Sequence, residues 1–380
     1  MNRIYLDHAA TSPVHPAVID EMMTVMQGTF GNPSSIHWFG REARSIVDHS
    51  RSIAAASIHA DHNEIIFTSG GTEADNMAII GAAMKNRERG NHIITTEIEH
   101  HAVLHTCQNL EKQGFEVTYL PVDETGRISV DAVQAVLRED TILVTIMFGN
   151  NEVGTIQPIS EIGHLLKGHQ ALFHTDAVQA YGLQELHVGE LGVDLLSVSG
   201  HKINGPKGVG FLYCRKDVDI LPLAHGGEQE RKRRAGTENV PGIAGLAKAI
   251  EIASSSMEEK RNRYAGFKEI LKEKLAGSGI SYEENGSLEH GLPHVLNLSF
   301  AGTDVESMLV NFDMSGIAVS SGSACTAGSI EPSHVLVAMF GGDSEKIRNS
   351  IRFSFGFGNT EEDIVRAADE AVKIIHRLTT

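Results

Sequence analysis

The sequence predicts an α/β protein: a large, mostly parallel sheet covered by helices on both faces, followed by a smaller α+β layer. Three observations predict it. Short β-rich runs alternate with helix-like stretches from about residue 64 to about residue 215, as strands joined by helical crossovers require. After a helical stretch at 257–275 the pattern changes to a few strands and helices of a second layer. With 380 residues, 41% of them hydrophobic, the chain is long enough to bury two cores.

Each element has a local reason. Residues 64–69 (Glu-Ile-Ile-Phe-Thr-Ser) form a β-rich run that Gly70-Gly71 breaks before a helix at 73–85. A strand at 92–95 precedes an amphipathic stretch at 102–113, another strand ends at Asp176, and the apolar run 193–198 ends at Ser199-Gly200-His201-Lys202. An apolar strand follows at 209–213. In 257–275, Tyr264, Phe267, Ile270, Leu271 and Leu275 fall on one side of a helix. Strands at 294–300 and 347–355 then alternate with helices at about 304–313 and 361–378. The expected division is a large domain over 15–257 and a small domain made of 1–14 and 258–380. Glycine-rich turns at 70–71, 205–210, 226–227 and 341–342 lie where α/β folds place ligand sites, and no repeat, heptad run or low-complexity tail interrupts the pattern.

Composition narrows the function classes. A formal charge of -17 disfavours non-specific binding to nucleic acid or to anionic membranes. The N-terminus lacks the long apolar core of a secretory signal, and no apolar run spans a bilayer, so a cytoplasmic protein is expected. The three cysteines, Cys107, Cys214 and Cys325, have no close spacing and read as free thiols.

Lys202 stands at a strand end between glycine turns, a placement suited to a Schiff base with a carbonyl cofactor. A lone loop lysine is usually just solvated; three further features change that. Pyridoxal phosphate needs an anion near its pyridine nitrogen, and Asp176 ends the strand before the one that leads to Lys202. A helix N-cap is the competing role for Asp176. Its phosphate needs backbone N–H groups at a helix start, which Ser69-Gly70-Gly71-Thr72 offers. Its ring needs a face to lie against, and His100 follows a strand and can also move protons.

Among the thiols, Cys107 falls in an amphipathic stretch and Cys214 ends an apolar strand, so both read as buried packing residues. Cys325 lies instead in Ser320-Ser321-Gly322-Ser323-Ala324-Cys325-Thr326-Ala327-Gly328-Ser329, a run of small residues expected to be a mobile loop that lets a thiol reach a substrate. Arg352, in a β-like strand, reads equally as a clamp for an amino-acid carboxylate or as half of an internal salt bridge.

Together these residues resemble the cysteine desulfurases of the class V aminotransferase-like, fold-type I pyridoxal phosphate enzymes. The likeness runs from Tyr5-Leu6-Asp7-His8-Ala9-Ala10-Thr11 through Gly31-Asn32-Pro33-Ser34-Ser35 to Ile351-Arg352-Phe353-Ser354. Its most specific parts are Ser199-Gly200-His201-Lys202 and Ser321-Gly322-Ser323-Ala324-Cys325-Thr326. The resemblance implies that Gly71, Thr72, Ser199 and His201 hold the phosphate, that Asp176 faces the pyridine nitrogen, that Asn151 and Gln179 contact the ring oxygen, and that His100 stacks on the ring. Asn151 and Arg352 would bind the substrate. Thr237 would reach the phosphate site of a partner subunit in a homodimer, with Arg234 of the basic run Arg231-Lys232-Arg233-Arg234 beside it. Lys202 and His100 are the implied proton carriers, and Cys325 the acceptor of sulfur from L-cysteine, which leaves as alanine. The stretch around Cys325 is similar to the group with an extended, mobile cysteine loop.

Two departures matter. Many relatives continue Arg-Phe-Ser-Leu-Gly-Arg, whereas this chain has Arg352-Phe353-Ser354-Phe355-Gly356-Phe357, which leaves the carboxylate to Arg352 alone. The sequence stops at Thr380 without the extension that iron–sulfur-assembly relatives use to dock their scaffold, so a tRNA-thiolating enzyme is as good a sulfur acceptor as an iron–sulfur scaffold. Within the same fold, an aminotransferase or a selenocysteine lyase would use Lys202 and Asp176 equally well. A metal-binding hydrolase is the reading suggested by 20 histidines and by the i, i+4 pair His101 and His105, but a third ligand is not evident, and no metal is expected.

Overall fold

The computed structural model describes residues 3–379 apart from 323, 324, 327, 328 and 331; for 325, 326, 329 and 330 it describes the backbone alone. Seven strands form the main sheet, in the order Ile65–Thr68, Gly210–Cys214, Leu195–Ser199, Leu172–Asp176, Thr141–Thr145, His92–Thr96 and Glu116–Leu120. Gly210–Cys214 alone runs against its neighbours, and the remaining pairs are parallel. The expected mostly parallel sheet is therefore present, and its inner strands Thr141–Thr145 and Leu195–Ser199 are buried along their whole length, Leu172–Asp176 at all but Leu172, as strands covered on both faces must be.

One face is covered by Gly71–Lys85 and His101–Glu111, packed through Ala74, Met77, Ala78, Val103, Cys107 and Leu110. Small residues let the first of these helices approach closely. A Cβ on its Gly81 would stand 2.8 Å from the Leu221 carbonyl oxygen. The other face is covered by Trp38–Ala56, Ile159–Leu165 and Val240–Ser255, with Val47, Ala54, Ile162, Leu246 and Ile250 in the core. Asn239 caps the last of these helices, its side chain accepting from the Gly242 N–H.

A second core lies around the antiparallel sheet Ser350–Ser354, Val295–Ser299 and Glu283–Asn285. Against it pack Met257–Gly277, through Tyr264, Phe267, Leu271 and Leu275, and Glu361–Thr379, through Ile364, Ala367, Ala371 and Ile375. Ile270, read from the sequence as part of the same stripe, is only half-buried at its edge. The N-terminal strand Ile4–Tyr5 joins this second core by pairing with Ile317–Ala318, and Asp7 bridges to Ser354.

This topology places the site. The turns after Thr68, Thr96, Thr145, Asp176 and Ser199 all open at the carboxyl edge of the parallel strands, where α/β sheets bind ligands. The N-terminal segment arrives at that edge from the second core.

Candidate active site

A pocket of about 510 Å³ occupies the carboxyl edge. It is lined by Gly71, Thr72, His100, Asn151, Asp176, Gln179, Ser199, His201, Lys202 and Arg352, residues read from the sequence as one site. Thr237 does not line it; that residue is exposed elsewhere on the same chain. Of the basic run, Arg234 comes nearest, pairing at 2.7 Å with Glu73, which follows Thr72 at the start of its helix. Arg233 donates to the Asn63 carbonyl, Lys232 pairs with Glu228, and Arg231 is exposed. The cysteine loop falls largely outside the described residues. Its described backbone pairs Cys325 with Ile330 and Thr326 with Ser329, and the side chain of Cys325 is outside the described residues. Cys107 and Cys214 are buried as expected, and burial pushes both thiols up, that of Cys214 to about 12.

Lys202 ends a 3₁₀ turn directly after the strand Leu195–Ser199. Its Nζ donates to the carbonyl oxygens of Ala9 and Ala10. Burial, then the Arg352 charge, lower its pKa to about 8, against partial compensation by Asp176 and Asp7. An amine that attacks a carbonyl must be neutral. At pH 7.5 about a quarter of such a lysine is neutral, against about 0.1% of an unperturbed one. Covalent attachment of an aldehyde to Lys202 is therefore expected to accelerate with a midpoint near pH 8 and to level off above it, which stopped-flow absorbance of the cofactor-free protein mixed with pyridoxal phosphate would check.

Asp176 ends its strand and accepts at 2.9 Å from the Val178 N–H, so the capping role and a pocket-facing role coexist. Burial raises its carboxyl to about 6. Two more acids that sequence reasoning passed over lie close behind it. Glu99, which accepts from the Met147 N–H and from Thr96, is pushed by burial to about 8. Asp75 is pushed well up by burial and by the Asp176 charge. Three buried carboxyl groups sharing little positive charge form an interior that a bound cation would relieve. A protonated pyridine ring beside Asp176 is such a cation.

His100 is the N-cap of His101–Glu111, and its Nδ1 accepts at 3.1 Å from the Ala102 N–H. That bond places the proton of the neutral ring on Nε2. The ring is accessible from the pocket yet recessed, and its surroundings, with the nearby Lys202 charge, lower its pKa to about 4. His100 is thus a neutral N–H donor that can lie against a ring. Taking up a second proton, which could only go to Nδ1, would cost it the cap.

At the phosphate end, the helix Gly71–Lys85 begins in the pocket and Gly70 has φ 148°. A Cβ on Gly71 would stand 2.8 Å from Val178 Cγ2, so only glycine brings this backbone so close. Such a helix start, with the Thr72 hydroxyl, suits an anion.

Arg352 is 3% exposed and makes the internal salt bridge that was one of its two readings from the sequence. It pairs with Asp7 at 2.7 Å and donates to the Asn151 carbonyl at 2.9 Å, while lining the pocket. Among the described residues three of its five N–H donors have no partner, including a buried Nε. Replacing it by lysine, which cannot fork, is expected to raise KM for an amino-acid substrate about 10- to 100-fold with a smaller change in kcat, as steady-state kinetics would read. Phe357, which takes the place of a second arginine, packs against His15 with ring centroids 4.8 Å apart.

His101 and His105 stack at 4.8 Å, and among the described residues no group of three or more His, Cys, Asp or Glu is placed to hold a metal ion. A larger cleft of about 700 Å³ lies at the opposite edge of the sheet, where several of its charges pair with one another, as in Lys85–Asp219 and Arg215–Asp194.

A strand-end lysine, a buried carboxylate and a helix start, gathered at the carboxyl edge of a mixed seven-stranded sheet, define the fold-type I class of aminotransferase-like enzymes. The family described as "Aminotransferase class-V" matches residues 4–366. The "Putative cysteine desulfurase IscS 1" of Bacillus subtilis (strain 168) is 61% identical over 100% of both chains. The cysteine desulfurase IscS of Methanosarcina thermophila is 50% identical over 99% of this chain and 92% of its own. A solved structure described as a NifS-like protein superposes with a TM-score of 0.92 at 38% identity, covering 99% of this chain and 100% of that one. The chain belongs to the class-V aminotransferase family and, within it, to the cysteine desulfurases. Among the described residues no helix is long and apolar enough to cross a membrane.

Proposed function

We propose that this cysteine desulfurase binds pyridoxal phosphate at Lys202, converts L-cysteine to L-alanine, and passes the sulfur through a persulfide on Cys325 to an acceptor protein in the cytoplasm. The observation that carries the reading is the meeting of Lys202, Asp176 and His100 in one pocket with Arg352 at its edge. Bound there, pyridoxal phosphate would supply an electron sink for the charge left when the substrate loses its Cα proton. Gly71, Thr72, Ser199 and His201 would hold its phosphate, Asp176 its pyridine nitrogen, Asn151 and Gln179 its ring oxygen.

The chain's own groups then divide the work. Arg352 holds the substrate carboxylate with its remaining donors, beside Asn151. Lys202, with its lowered pKa, takes the Cα proton and returns a proton toward alanine. His100 lies against the ring and offers its Nε2 proton. The Cys325 thiolate attacks the substrate sulfur: an S–S bond forms, the substrate's Cβ–S bond breaks, and the carbon takes up a proton.

A homodimer accords with two features. Ile19, Met23 and Met26 recur at helical spacing on Pro16–Gly28 and are exposed, as are Phe30, Ile36 and Trp38, with Phe39 packed against both Phe30 and Trp38. Thr237 is exposed, available to a partner's phosphate site rather than to its own. The division into 15–257 and 1–14 with 258–380 accords with the two cores and with the pairing of Ile4–Tyr5 and Ile317–Ala318. An iron–sulfur scaffold and a tRNA-thiolating enzyme both remain as acceptors.

Mass spectrometry of the Cys325 peptide after turnover with L-cysteine tests the reading. A mass gain of one sulfur atom that disappears on adding one acceptor is expected. An unmodified Cys325 in protein that still releases sulfur would overturn the persulfide role, and would favour an aminotransferase or lyase use of the same pocket.

A further inference from the structure

Lys202 borders a second space. Behind it, away from the pocket just described, a narrow cleft of about 40 Å³ separates the N-terminal segment from the helices Val240–Ser255 and Met257–Gly277. That is room for roughly two or three water molecules. Polar groups of His8, Ser12, Tyr181, Asn204, Lys260 and His294 line it. His8 also borders a broad surface cleft flanked by Arg3 and Lys207, so the lining is continuous from Lys202 to the outside.

Most of these groups are satisfied within the protein. Ser12 donates to the His201 carbonyl and accepts from the Asn204 N–H, the Asn204 amide donates to the Pro13 carbonyl, and the Tyr181 hydroxyl meets Ser57. The two histidines differ. His8 is 5% exposed, and among the described residues neither ring nitrogen has a hydrogen-bond partner; Tyr5 and Asn359 approach without reaching hydrogen-bonding geometry. The ring lies so close to Gly356 that a Cβ there would fall 2.1 Å from its Nδ1. His294, 6% exposed, meets Gln179 Oε1 at 3.1 Å through Nε2. The Gln179 amide nitrogen is committed to the Ala9 carbonyl, so its oxygen faces the histidine and the ring proton sits on Nε2. Nδ1 of His294 is left as a buried acceptor with no donor among the described residues. Three unmet nitrogens around a space of water size call for water, since buried polar groups are paired with protein or with ordered water.

We propose that the rear cleft holds a short file of ordered water joining Lys202 to His8 and His294 and on to solvent, through which Lys202 exchanges protons while substrate fills the front pocket. The proposal rests on Lys202 acting as the Cα base. A deuteron taken from Cα becomes one of three hydrogens on the lysine ammonium; an N–D is then exchanged for an N–H from the water file, and no other bond changes.

Two experiments test it. A high-resolution crystal structure of the cofactor-free protein is expected to show water within about 2.7–3.2 Å of His8 and of His294 Nδ1. A dry cleft, or His8 bonded directly to Asn359, overturns the proposal whatever the enzyme's activity. In turnover of L-cysteine deuterated at Cα, the wild type is expected to lose most of the label from alanine to ordinary water. Ala253→Val narrows the cleft from the helix side, and His8→Phe removes its two nitrogens; both are expected to raise label retention several-fold. Equal retention in the wild type and both variants overturns it. Borohydride reduction and peptide mapping, which would miss Lys202 if the cofactor were not attached there, separates failure of the Lys202 assignment from failure of the water file.

Discussion

Lys202→Ala is expected to lower alanine formation from L-cysteine by about 10⁴-fold, the upper end of what one acid–base group contributes. The loss is large because one side chain has three tasks. In the proposed function it anchors the cofactor and removes the Cα proton, for which its pKa, about 8, is matched near neutral pH, and it lies between the pocket and the N-terminal backbone. Lys202→Arg separates these tasks. It keeps a cation near Asp176 but cannot attach to an aldehyde or release a proton at neutral pH. The two variants should therefore be equally inactive and should equally lack the Schiff-base absorbance and any borohydride-fixed cofactor, while non-covalently bound cofactor remains detectable by equilibrium dialysis. An arginine variant with more than a small fraction of wild-type alanine formation would place the base elsewhere, and His100 would be next, at the cost of its cap on Ala102.

The sequence made much of this site legible because its residues follow strand ends. Asp176 ends a strand, Lys202 lies three residues and His100 four residues beyond a strand end, and a parallel sheet necessarily brings such turns to one edge. What could not be read is what arrives from far along the chain. Asp7, which holds Arg352, and the Ala9 and Ala10 carbonyls, which hold Lys202, reach the pocket because Ile4–Tyr5 pairs with Ile317–Ala318, a contact across more than 300 residues that no local pattern encodes. Glu99 and Asp75 were hidden for another reason: charged residues in a helix start or turn normally face water, and only the packing of Gly71–Lys85 on the sheet shows them buried. Thr237 marks a different boundary, since a single chain does not bring it to its own pocket. Of the two readings of Arg352 the salt bridge is present, with Asp7, and it leaves the guanidinium with donors for the proposed substrate carboxylate.

Asp176→Asn is expected to act in opposite directions on activity and on stability. If Asp176 holds the pyridine nitrogen as proposed, removing the carboxylate should lower alanine formation about 10²- to 10³-fold, as when a preorganised charge is removed from a site. In the cofactor-free protein the same carboxylate is a burden. Burial raises its pKa from 3.8 to about 6, so the folded state binds this proton more tightly than the unfolded state does. Stability from this group is full below about pH 4 and is lost as pH rises through about 6, a loss of roughly 3 kcal/mol for a shift of this size. Asparagine has no such proton. The cofactor-free variant should therefore be more stable than the cofactor-free wild type at pH 7.5, by up to roughly 3 kcal/mol, and the difference should shrink toward zero near pH 4. Relief of repulsion on Asp75 and Glu99 adds in the same direction. Urea unfolding of both proteins at pH 4 and pH 7.5, without and with pyridoxal phosphate, measures it. If the wild type is the more stable without cofactor at pH 7.5, the buried acids already have a compensating partner, and the argument that they await a cation fails.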